Sequence, residues 1–292
     1  MKVVISIPAY NEEETIAAVI NGIKKVMNAT KYQYQILVLN DGSRDKTAEI
    51  AKKAGSIVFS NSTNLGLAET FKREIEKCLE LKADIIVHTD ADGQYQSEDI
   101  PRLIKEIENG YDLVLGSRFL LKNKSMPLPK RLGNKAFAKV LSKILKQKFT
   151  DTTTGFRAFT KEVAKNIEFI NTFTYTQEQI IKSIKQNYKI KEIAIKTKKT
   201  RDSRLFSNPI QYAIKAWINI LRIYRDYEPL KFFGRIGLSL IFLGIAIGIW
   251  LFYLFITRGR VGHIPLTILS MLLMVAGIQI ITFGFLADMK RK

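Results

Sequence analysis

Two aspartates separated by one small residue are the side chains in this sequence best suited to chemistry. Asp90 and Asp92 directly follow the apolar run Ile85–Thr89, and Gln94 lies two residues further on. Carboxylates at this spacing on a bent loop can converge on one hard divalent cation, to which Gln94 could add a neutral oxygen. An Asp-x-Asp pair also occurs in solvated turns, but its place after an apolar run favours a Mg²⁺ site shared with substrate phosphates.

The elements that position these aspartates are predicted by an alternation of two hydrophobic patterns. Short apolar runs predict strands at Val3–Ile7, Ile36–Leu39, Ile57–Ser60, Ile85–Thr89 and Leu113–Gly116. Apolar residues at helical spacing follow the first run, and Asn11 with Glu14 predicts a capping box at the start of that helix. Strands that alternate with helices predict an α/β fold with a doubly wound, largely parallel sheet.

Polar segments follow three of the predicted strands. They are Pro8-Ala9-Tyr10-Asn11-Glu12, Asn40-Asp41-Gly42-Ser43 and Asp90-Ala91-Asp92. Ligands of open α/β sheets bind at the carboxyl ends of the strands, so we expect these segments to form one site. Neither a Gly-x-Gly-x-x-Gly nor a Walker A motif follows the first strand, which leaves a dinucleotide-dependent oxidoreductase or a P-loop protein unsupported.

The C-terminal part of the chain is predicted to be a membrane hairpin. Ile236 to Thr257 holds 22 residues without a charge, and Val261 to Ala287 holds 27 with His263 as the only ionisable one. About 20 apolar residues span a bilayer core, so each run is long enough. The three residues between the runs, Arg258 to Arg260, allow only a tight turn.

The basic residues around the two spans predict their orientation. Five lie on the side of the preceding domain and two lie in the turn: Lys231, Arg235, Lys290, Arg291 and Lys292 against Arg258 and Arg260. The positive-inside rule places the larger group in the cytoplasm. We therefore expect a multi-pass protein of the cell (plasma) membrane whose N-terminal domain and both termini are cytoplasmic.

The segment before the hairpin is predicted to be an amphipathic helix. Its apolar stripe consists of Ile210, Ile214, Trp217, Ile218, Leu221 and Tyr224. A stripe with aromatic residues beside a basic face suits the bilayer interface, and a helix packed on the preceding domain is the alternative. The predicted organisation is thus a domain of residues 1–204, a juxtamembrane helix of residues 205–230 and a transmembrane hairpin of residues 231–292.

The formal charge of +19 narrows the choice of partner. Residues 229–292 carry +6 of it and the remainder carries +13. An excess of this size permits binding to nucleic acid, but the acids at the strand ends would oppose a polyanion, and no nucleic-acid motif is present. We therefore expect no nucleic-acid partner. The lone cysteine, Cys78, excludes a disulfide scaffold and agrees with a reducing compartment.

A series of motifs in a fixed order resembles glycosyltransferase family 2, in its polyprenyl-phosphate branch of the dolichol-phosphate mannose synthase type. The motifs are Pro8-Ala9-Tyr10-Asn11-Glu12, Asn40-Asp41-Gly42-Ser43-x-Asp45, Asn64-Leu65-Gly66, Asp90-Ala91-Asp92-Gly93-Gln94, Gly116-Ser117-Arg118 and Asp151-x-Thr153-Thr154-Gly155-Phe156-Arg157. The similarity covers roughly residues 1–230, and the two-span hairpin also resembles this branch. The resemblance implies a GT-A fold, which agrees with the alternation described above.

The resemblance also implies roles for individual residues. The nucleotide sugar would be bound by Pro8, Ala9, Tyr10, Glu12, Asp41 and Gly66, with Arg201 and Arg204 closing over its phosphates. Asp90, Asp92 and Gln94 would hold Mg²⁺ or Mn²⁺ on the diphosphate. Arg118 and Arg131, with Asn134 nearby, would receive the lipid phosphate. We expect Asp151 near the acceptor, orienting Arg118 or Arg131; a helix cap or turn residue is the alternative. Two departures from the family pattern bear on the identity of the sugar and the nucleotide: Asn40 replaces an aspartate, and Arg201 to Leu205 lacks the usual glycine and lysine.

The function implied is the inverting transfer of one hexose from GDP-mannose or UDP-glucose to dolichyl or undecaprenyl phosphate at the bilayer. A lipid phosphate is already anionic near neutral pH, so it needs positioning more than deprotonation. The alternatives are a family 2 transferase that acts on a saccharide, and a basic membrane-tethered protein that binds nucleic acid or another anionic ligand without catalysis. The resemblance also allows a homo-oligomer formed through the hairpin.

Overall fold

The computed structural model describes residues 1–121, 128–167, 175–198, 218, 221–222, 224–260 and 263–289, without the side chains of residues 128–130. The chain divides into two compact units, Met1–Pro209 and Ile210–Lys292. The predicted boundary at residue 204, and most of the predicted juxtamembrane helix of residues 205–230, lie outside the described residues.

The described residues of the first unit form one sheet of seven strands with helices between them. The strands are β1 (Lys2–Ala9), β2 (Gln33–Asn40), β3 (Ile57–Ser60), β4 (Ile85–His88), β5 (Leu113–Ser117), β6 (Arg157–Thr160) and β7 (Ile190–Ala194). The helices are α1 (Ile16–Met27), α2 (Thr47–Lys53), α3 (Leu67–Glu80), α4 (Ile100–Glu108), α5 (Leu128–Leu145), α6 (Lys161–Asn166) and α7 (Tyr175–Lys185). A 3-10 turn, Ser97–Asp99, precedes α4.

The strand order is β3-β2-β1-β4-β6-β5-β7. The pairs of β1 with β2, β1 with β4, β2 with β3 and β5 with β7 are parallel, whereas β6 is antiparallel to both β4 and β5. The predicted largely parallel α/β sheet is therefore confirmed, and all five predicted strands are present. Sequence analysis did not predict β6 or β7, and β6 is the strand that inserts between β4 and β5.

The strands of the sheet centre are buried on both faces, because helices cover the sheet on each side. Val3, Ile5 and Ile7 of β1 are fully buried in the main apolar cluster. α1 packs onto this cluster through Ile16, Ile20, Ile23 and Met27, the face that helical spacing predicts. Each such buried side chain contributes about 1.5–3 kcal/mol.

The predicted capping box at Asn11 is wrong. The helix begins at Ile16, with Thr15 as its N-cap residue and no side-chain capping bond. Asn11 has a positive φ of 54°, and its Oδ1 accepts a hydrogen bond from the backbone N–H of Arg44 at 2.9 Å. Asn11 therefore joins the loops after β1 and β2 instead of capping α1.

The second unit is a helical hairpin of α8 (Pro229–Arg258) and α9 (Ile264–Met289). Both helices are long and apolar enough to cross a membrane, and most of their large side chains are exposed. Small residues recur every seven positions where the helices meet: Gly237 and Gly244 on α8, and Ser270, Gly277 and Gly284 on α9. Ser270 Oγ donates a hydrogen bond to the carbonyl of Gly244 at 2.7 Å. Small residues let helix backbones approach closely in the absence of a hydrophobic driving force.

Candidate active site

The loops after β1 and β2 are joined side by side. The parallel register pairs Ala9 with Asn40, so both strands end at the same level. The backbone N–H of Glu12 donates to Thr47 Oγ1 at 2.8 Å, and that of Asn11 donates to Ser43 Oγ at 2.9 Å. These bonds gather Pro8, Ala9, Tyr10 and Glu12 at the sheet edge, where Tyr10 is 38% exposed and Glu12 is buried.

Asp41 organises the loop that leads into α3. Its buried carboxylate accepts hydrogen bonds from Asn61 Nδ2 at 2.8 Å and from the backbone N–H groups of Leu65 and Gly66 at 2.9 and 3.0 Å. Gly66, at the N-cap position of α3, has a φ of 83° that favours glycine. Asp41 thus fixes the position of Gly66, another predicted nucleotide-binding residue.

Asp90 and Asp92 lie directly after β4, in the centre of the sheet. The side chain of Asp90 is 35% exposed, and loss of hydration raises its pKa to about 6, with a further increase from the charge of Asp92. Asp92 Oδ1 accepts the backbone N–H of Gln94 at 2.9 Å, across Gly93 with its φ of 71°. Within the described residues Asp90 accepts no hydrogen bond, and part of its side chain remains accessible.

Behind Asp90 lies a buried polar group that sequence analysis did not predict. His88 is fully buried; its Nδ1 lies 2.9 Å from Glu74 Oε2, and its Nε2 lies 2.8 Å from Tyr175 Oη. Tyr175 stacks on Phe71 with ring centroids 3.7 Å apart. His88 Nε2 is 3.9 Å from Asp90 Oδ1.

Arg118 and Asp151 form a buried, bidentate ion pair. Nε and Nη2 of Arg118 donate to Oδ2 and Oδ1 of Asp151 at 2.7 and 2.9 Å, and the backbone N–H of Arg118 also donates to Oδ2. Asp151 is fully buried, and the charge of Arg118 keeps the pKa of Asp151 below its usual range despite the desolvation that acts to raise it. The pairing leaves Nη1 as the nitrogen of Arg118 that makes no hydrogen bond to a described residue. Of the two arginines that Asp151 was expected to orient, the structure places it on Arg118.

The segment from Asp151 to Arg157 lies between Arg118 and Asp90. Within this segment Gly155 lies against the carboxylate of Asp90, and its backbone N–H donates to Tyr95 Oη at 3.2 Å. Arg157, also fully buried, donates from Nη1 to the Thr176 carbonyl and to Gln179 Oε1, and from Nη2 to the Thr154 carbonyl. The guanidinium of Arg157 lies over the ring of Tyr175, 5.4 Å from its centroid. The segment therefore ties the predicted acceptor side to the predicted metal side.

The structure gives fewer contacts for the remaining predicted site residues. Asn134 on α5 is buried, and Arg131, one turn before it, is half-buried and makes no ion pair with a described residue. Arg201 and Arg204, which are predicted to close over the phosphates, lie outside the described residues.

The donor atoms present suit a hard divalent cation. Two carboxylates and the nearby Gln94 carry the oxygen atoms that such a cation prefers. Desolvation, and the charge of Asp92 in addition, raises the pKa of Asp90, although the charge of Arg118 acts to lower it. Among the described residues no three His, Cys, Asp or Glu side chains converge on one point. A two-carboxylate site fits Mg²⁺ or Mn²⁺ only when substrate phosphates complete the coordination, which is how Mg²⁺ is commonly bound.

The mostly parallel sheet of seven strands, with helices between the strands, has a GT-A-like architecture. The chain belongs to glycosyl transferase family 2, whose model matches residues 4–168. The model of the glycosyltransferase family 2 C-terminal transmembrane region matches residues 219–291, so the hairpin is a membrane-associated element.

Two relatives and one solved structure illustrate the similarity. The dolichyl-phosphate hexose transferase of Haloferax volcanii is 32% identical over 186 residues, 64% of this chain and 78% of that protein. The dolichol-phosphate mannosyltransferase of Pyrococcus furiosus is 28% identical over 288 residues, 93% of this chain and 78% of that protein. The fold resembles that of glucosyl-3-phosphoglycerate synthase from Mycobacterium tuberculosis, which was solved with Mn²⁺, uridine diphosphate and phosphoglyceric acid. The TM-score is 0.58 and the sequence identity is 19%, over 75% of this chain and 78% of that one.

Proposed function

We propose that this enzyme transfers one hexose from a nucleotide sugar to a polyprenyl phosphate at the membrane surface. The observation that carries the proposal is the short segment that connects the Asp90 carboxylate with the buried Arg118–Asp151 pair. Asp90 and Asp92 suit a cation on a diphosphate. Because Asp151 occupies Nε and Nη2 of Arg118, the remaining Nη1 is the group that suits a second phosphate. The names of the dolichyl-phosphate transferases among the relatives support the same substrate class.

In this proposal the residues divide the work between two phosphate-bearing substrates. Pro8, Ala9, Tyr10 and Glu12, with the loop that Asp41 fixes, bind the nucleotide. Asp90, Asp92 and Gln94 hold Mg²⁺ or Mn²⁺, which when bound neutralises charge on the departing nucleoside diphosphate. Arg118 through Nη1, Arg131 and Asn134 bind the acceptor phosphate, and Arg201 and Arg204 close over the donor. Direct attack by the acceptor inverts the anomeric carbon.

The hairpin would tether the enzyme to the bilayer that holds the lipid acceptor. The excess of basic residues on the domain side of the two spans supports a cytoplasmic catalytic domain with both termini in the cytoplasm. The apolar faces of the hairpin that lie exposed in the single chain suit lipid or a second copy of the hairpin.

A matrix of donors and acceptors tests the proposal. Full-length protein in nanodiscs is offered radiolabelled GDP-mannose, UDP-glucose and other nucleotide sugars, each with dolichyl or undecaprenyl phosphate and Mg²⁺ or Mn²⁺. We expect label in the organic phase for one donor class, with inversion visible by NMR of the product. Label transferred only to a free saccharide, or retention of configuration, would contradict the proposal.

A further inference from the structure

Glu192, on the edge strand β7, holds the backbone at the start of the Asp151–Arg157 segment. Its Oε1 accepts the N–H of Asp151 at 2.8 Å, and its Oε2 accepts the N–H and the hydroxyl of Thr150 at 2.8 and 3.0 Å. The register places Glu192 opposite Leu115 of β5, two residues before Ser117. The carboxylate therefore reaches across to residues 42 and 41 positions earlier in the chain.

The groups that Glu192 holds are the ones that orient Arg118. Thr150 Oγ1 is also 2.6 Å from Ser117 Oγ, directly before Arg118. Asp151, whose N–H Glu192 accepts, takes three hydrogen bonds from Arg118 on its own carboxylate. A shift of the backbone at Asp151 would therefore rotate the guanidinium and move Nη1, the nitrogen that bonds to no described residue.

Glu192 is held by hydrogen bonds and not by an ion pair with a described residue. Within the described residues Glu192 pairs with no lysine or arginine, and desolvation raises its pKa. Burial of a carboxylate is unfavourable unless hydrogen bonds compensate for it. All the described bonds of Glu192 end on Thr150 and Asp151, so its effect is concentrated on these two residues.

We propose that Glu192 is a positioning residue for recognition of the acceptor phosphate, acting through Asp151 on Arg118. The proposal rests on the proposed function, since it assigns Arg118 to the acceptor. Glu192 touches neither substrate; it sets the direction in which Nη1 of Arg118 points.

The test compares Glu192→Ala and Glu192→Gln with the wild type and with Lys191→Ala. Lys191 is the neighbouring residue on β7 and pairs with Glu106 at 2.9 Å, so its variant also loses one contact of the same strand. We expect Glu192→Ala to raise the KM for dolichyl phosphate about 10- to 100-fold, because a misplaced positioning group can cost that much. The KM for the nucleotide sugar stays within about twofold, because the donor loops are untouched. Glu192→Gln, which keeps an oxygen for the N–H of Asp151, recovers most of the loss, and Lys191→Ala matches the wild type.

A double variant separates positioning from general destabilisation. If Glu192 acts through Asp151, adding Glu192→Ala to Asp151→Asn raises the acceptor KM little further, because effects in one network are not additive. Equal increases in the KM values of donor and acceptor, or fully additive effects in the double variant, would overturn the proposal.

Hydrogen exchange gives an outcome that does not depend on the acceptor. We expect Glu192→Ala to accelerate amide exchange in the peptide of residues 149–156 while peptides of β1 and β4 keep the wild-type rate, and Glu192→Gln to restore protection. If the wild type transferred no sugar to any polyprenyl phosphate, the proposed function would fail, and unchanged exchange in residues 149–156 would separately refute the positioning role.

Discussion

The backbone of Gly155 lies against the carboxylate of Asp90. A Cβ atom built on Gly155 would lie 2.9 Å from Asp90 Oδ1 and 3.2 Å from Oδ2. The close approach joins the segment Asp151–Arg157 to Asp90, one of the three candidate metal ligands. No larger residue fits at position 155 unless the carboxylate moves.

Gly155→Ala is therefore expected to displace the Asp90 carboxylate and to lower kcat about 10- to 100-fold, because small misplacements in a reacting site have effects of this size. The apparent affinity for Mn²⁺ should fall in the same variant. Gly234→Ala is the control, since a Cβ there meets no atom within 4 Å. Wild-type kinetics for Gly155→Ala would show that the position of Asp90 does not limit the reaction.

Asp92→Asn is expected to weaken Mn²⁺ binding in the presence of the nucleoside diphosphate, because it removes one of the two carboxylates that the proposal assigns to the cation. The measurement is the free Mn²⁺ signal in electron paramagnetic resonance during a titration of full-length protein. Glu98→Gln, an exposed acid in the following turn, is the matched control and should bind as the wild type does. Equal binding by the wild type and Asp92→Asn would remove Asp92 from the metal site.

Asp151→Asn is expected to destabilise the protein by about 3–5 kcal/mol at neutral pH, because it leaves Arg118 buried without its counter-charge. The pKa of Asp151 is lower in the folded protein than its usual 3.8, so its stabilisation is fully present above that value and is lost as the pH falls through the folded pKa. The difference between variant and wild type should thus be constant from about pH 8 to 5 and narrow only below about pH 4. Thermal unfolding of the full-length protein measures it, with Glu49→Gln on the exposed surface as a control. A difference that vanished near pH 6 would contradict the assignment.

Cys78 is expected to resist thiol reagents in the folded protein. It is fully buried, and desolvation followed by the charge of Glu74 raises its pKa well above the usual value, so little thiolate forms at pH 8. Labelling with iodoacetamide at pH 8 should be negligible in native buffer and rapid in denaturant. Fast native labelling would show that α3 opens from the sheet.

Gly277→Leu is expected to separate the helices of the hairpin. A Cβ atom built on Gly277 would lie 2.6 Å from the carbonyl oxygen of Gly237. This oxygen belongs to the backbone, so it cannot move aside as the end of a flexible side chain can. The variant should lower the thermal unfolding midpoint in detergent, whereas Gly234→Leu, which points into open space, should not. An unchanged midpoint for Gly277→Leu would show that the two helices do not rely on this close contact.

Local sequence patterns predicted much of the first unit because its strands are apolar and buried on both faces. The five predicted strands and the meeting of their polar ends follow from the parallel arrangement, which brings carboxyl ends to one edge. β6 escaped prediction because Arg157–Thr160 begins with a charged residue and has only two apolar residues, Ala158 and Phe159. The burial of Arg157 depends on partners in α7 that no local pattern reveals.

Long-range partners account for most of what sequence analysis missed at the site. Arg118 and Asp151 are 33 residues apart, so the motifs named both residues but left the choice between Arg118 and Arg131 open. Glu192 lies a further 41 residues along the chain and belongs to none of the motifs. An acidic residue next to the buried Ile193 in a short strand is a sequence signal that could have identified it. The capping box at Asn11 failed because the same side chain bonds to the loop after β2, a partner outside its own helix.

The most direct test of the central claim is the transfer of label from a nucleotide sugar to dolichyl phosphate by the wild type and by Asp92→Asn. We expect metal-dependent, organic-phase label with the wild type, its loss on chelation, and its absence with a folded Asp92→Asn protein. Label that persists at the wild-type rate in Asp92→Asn or in excess EDTA would contradict it.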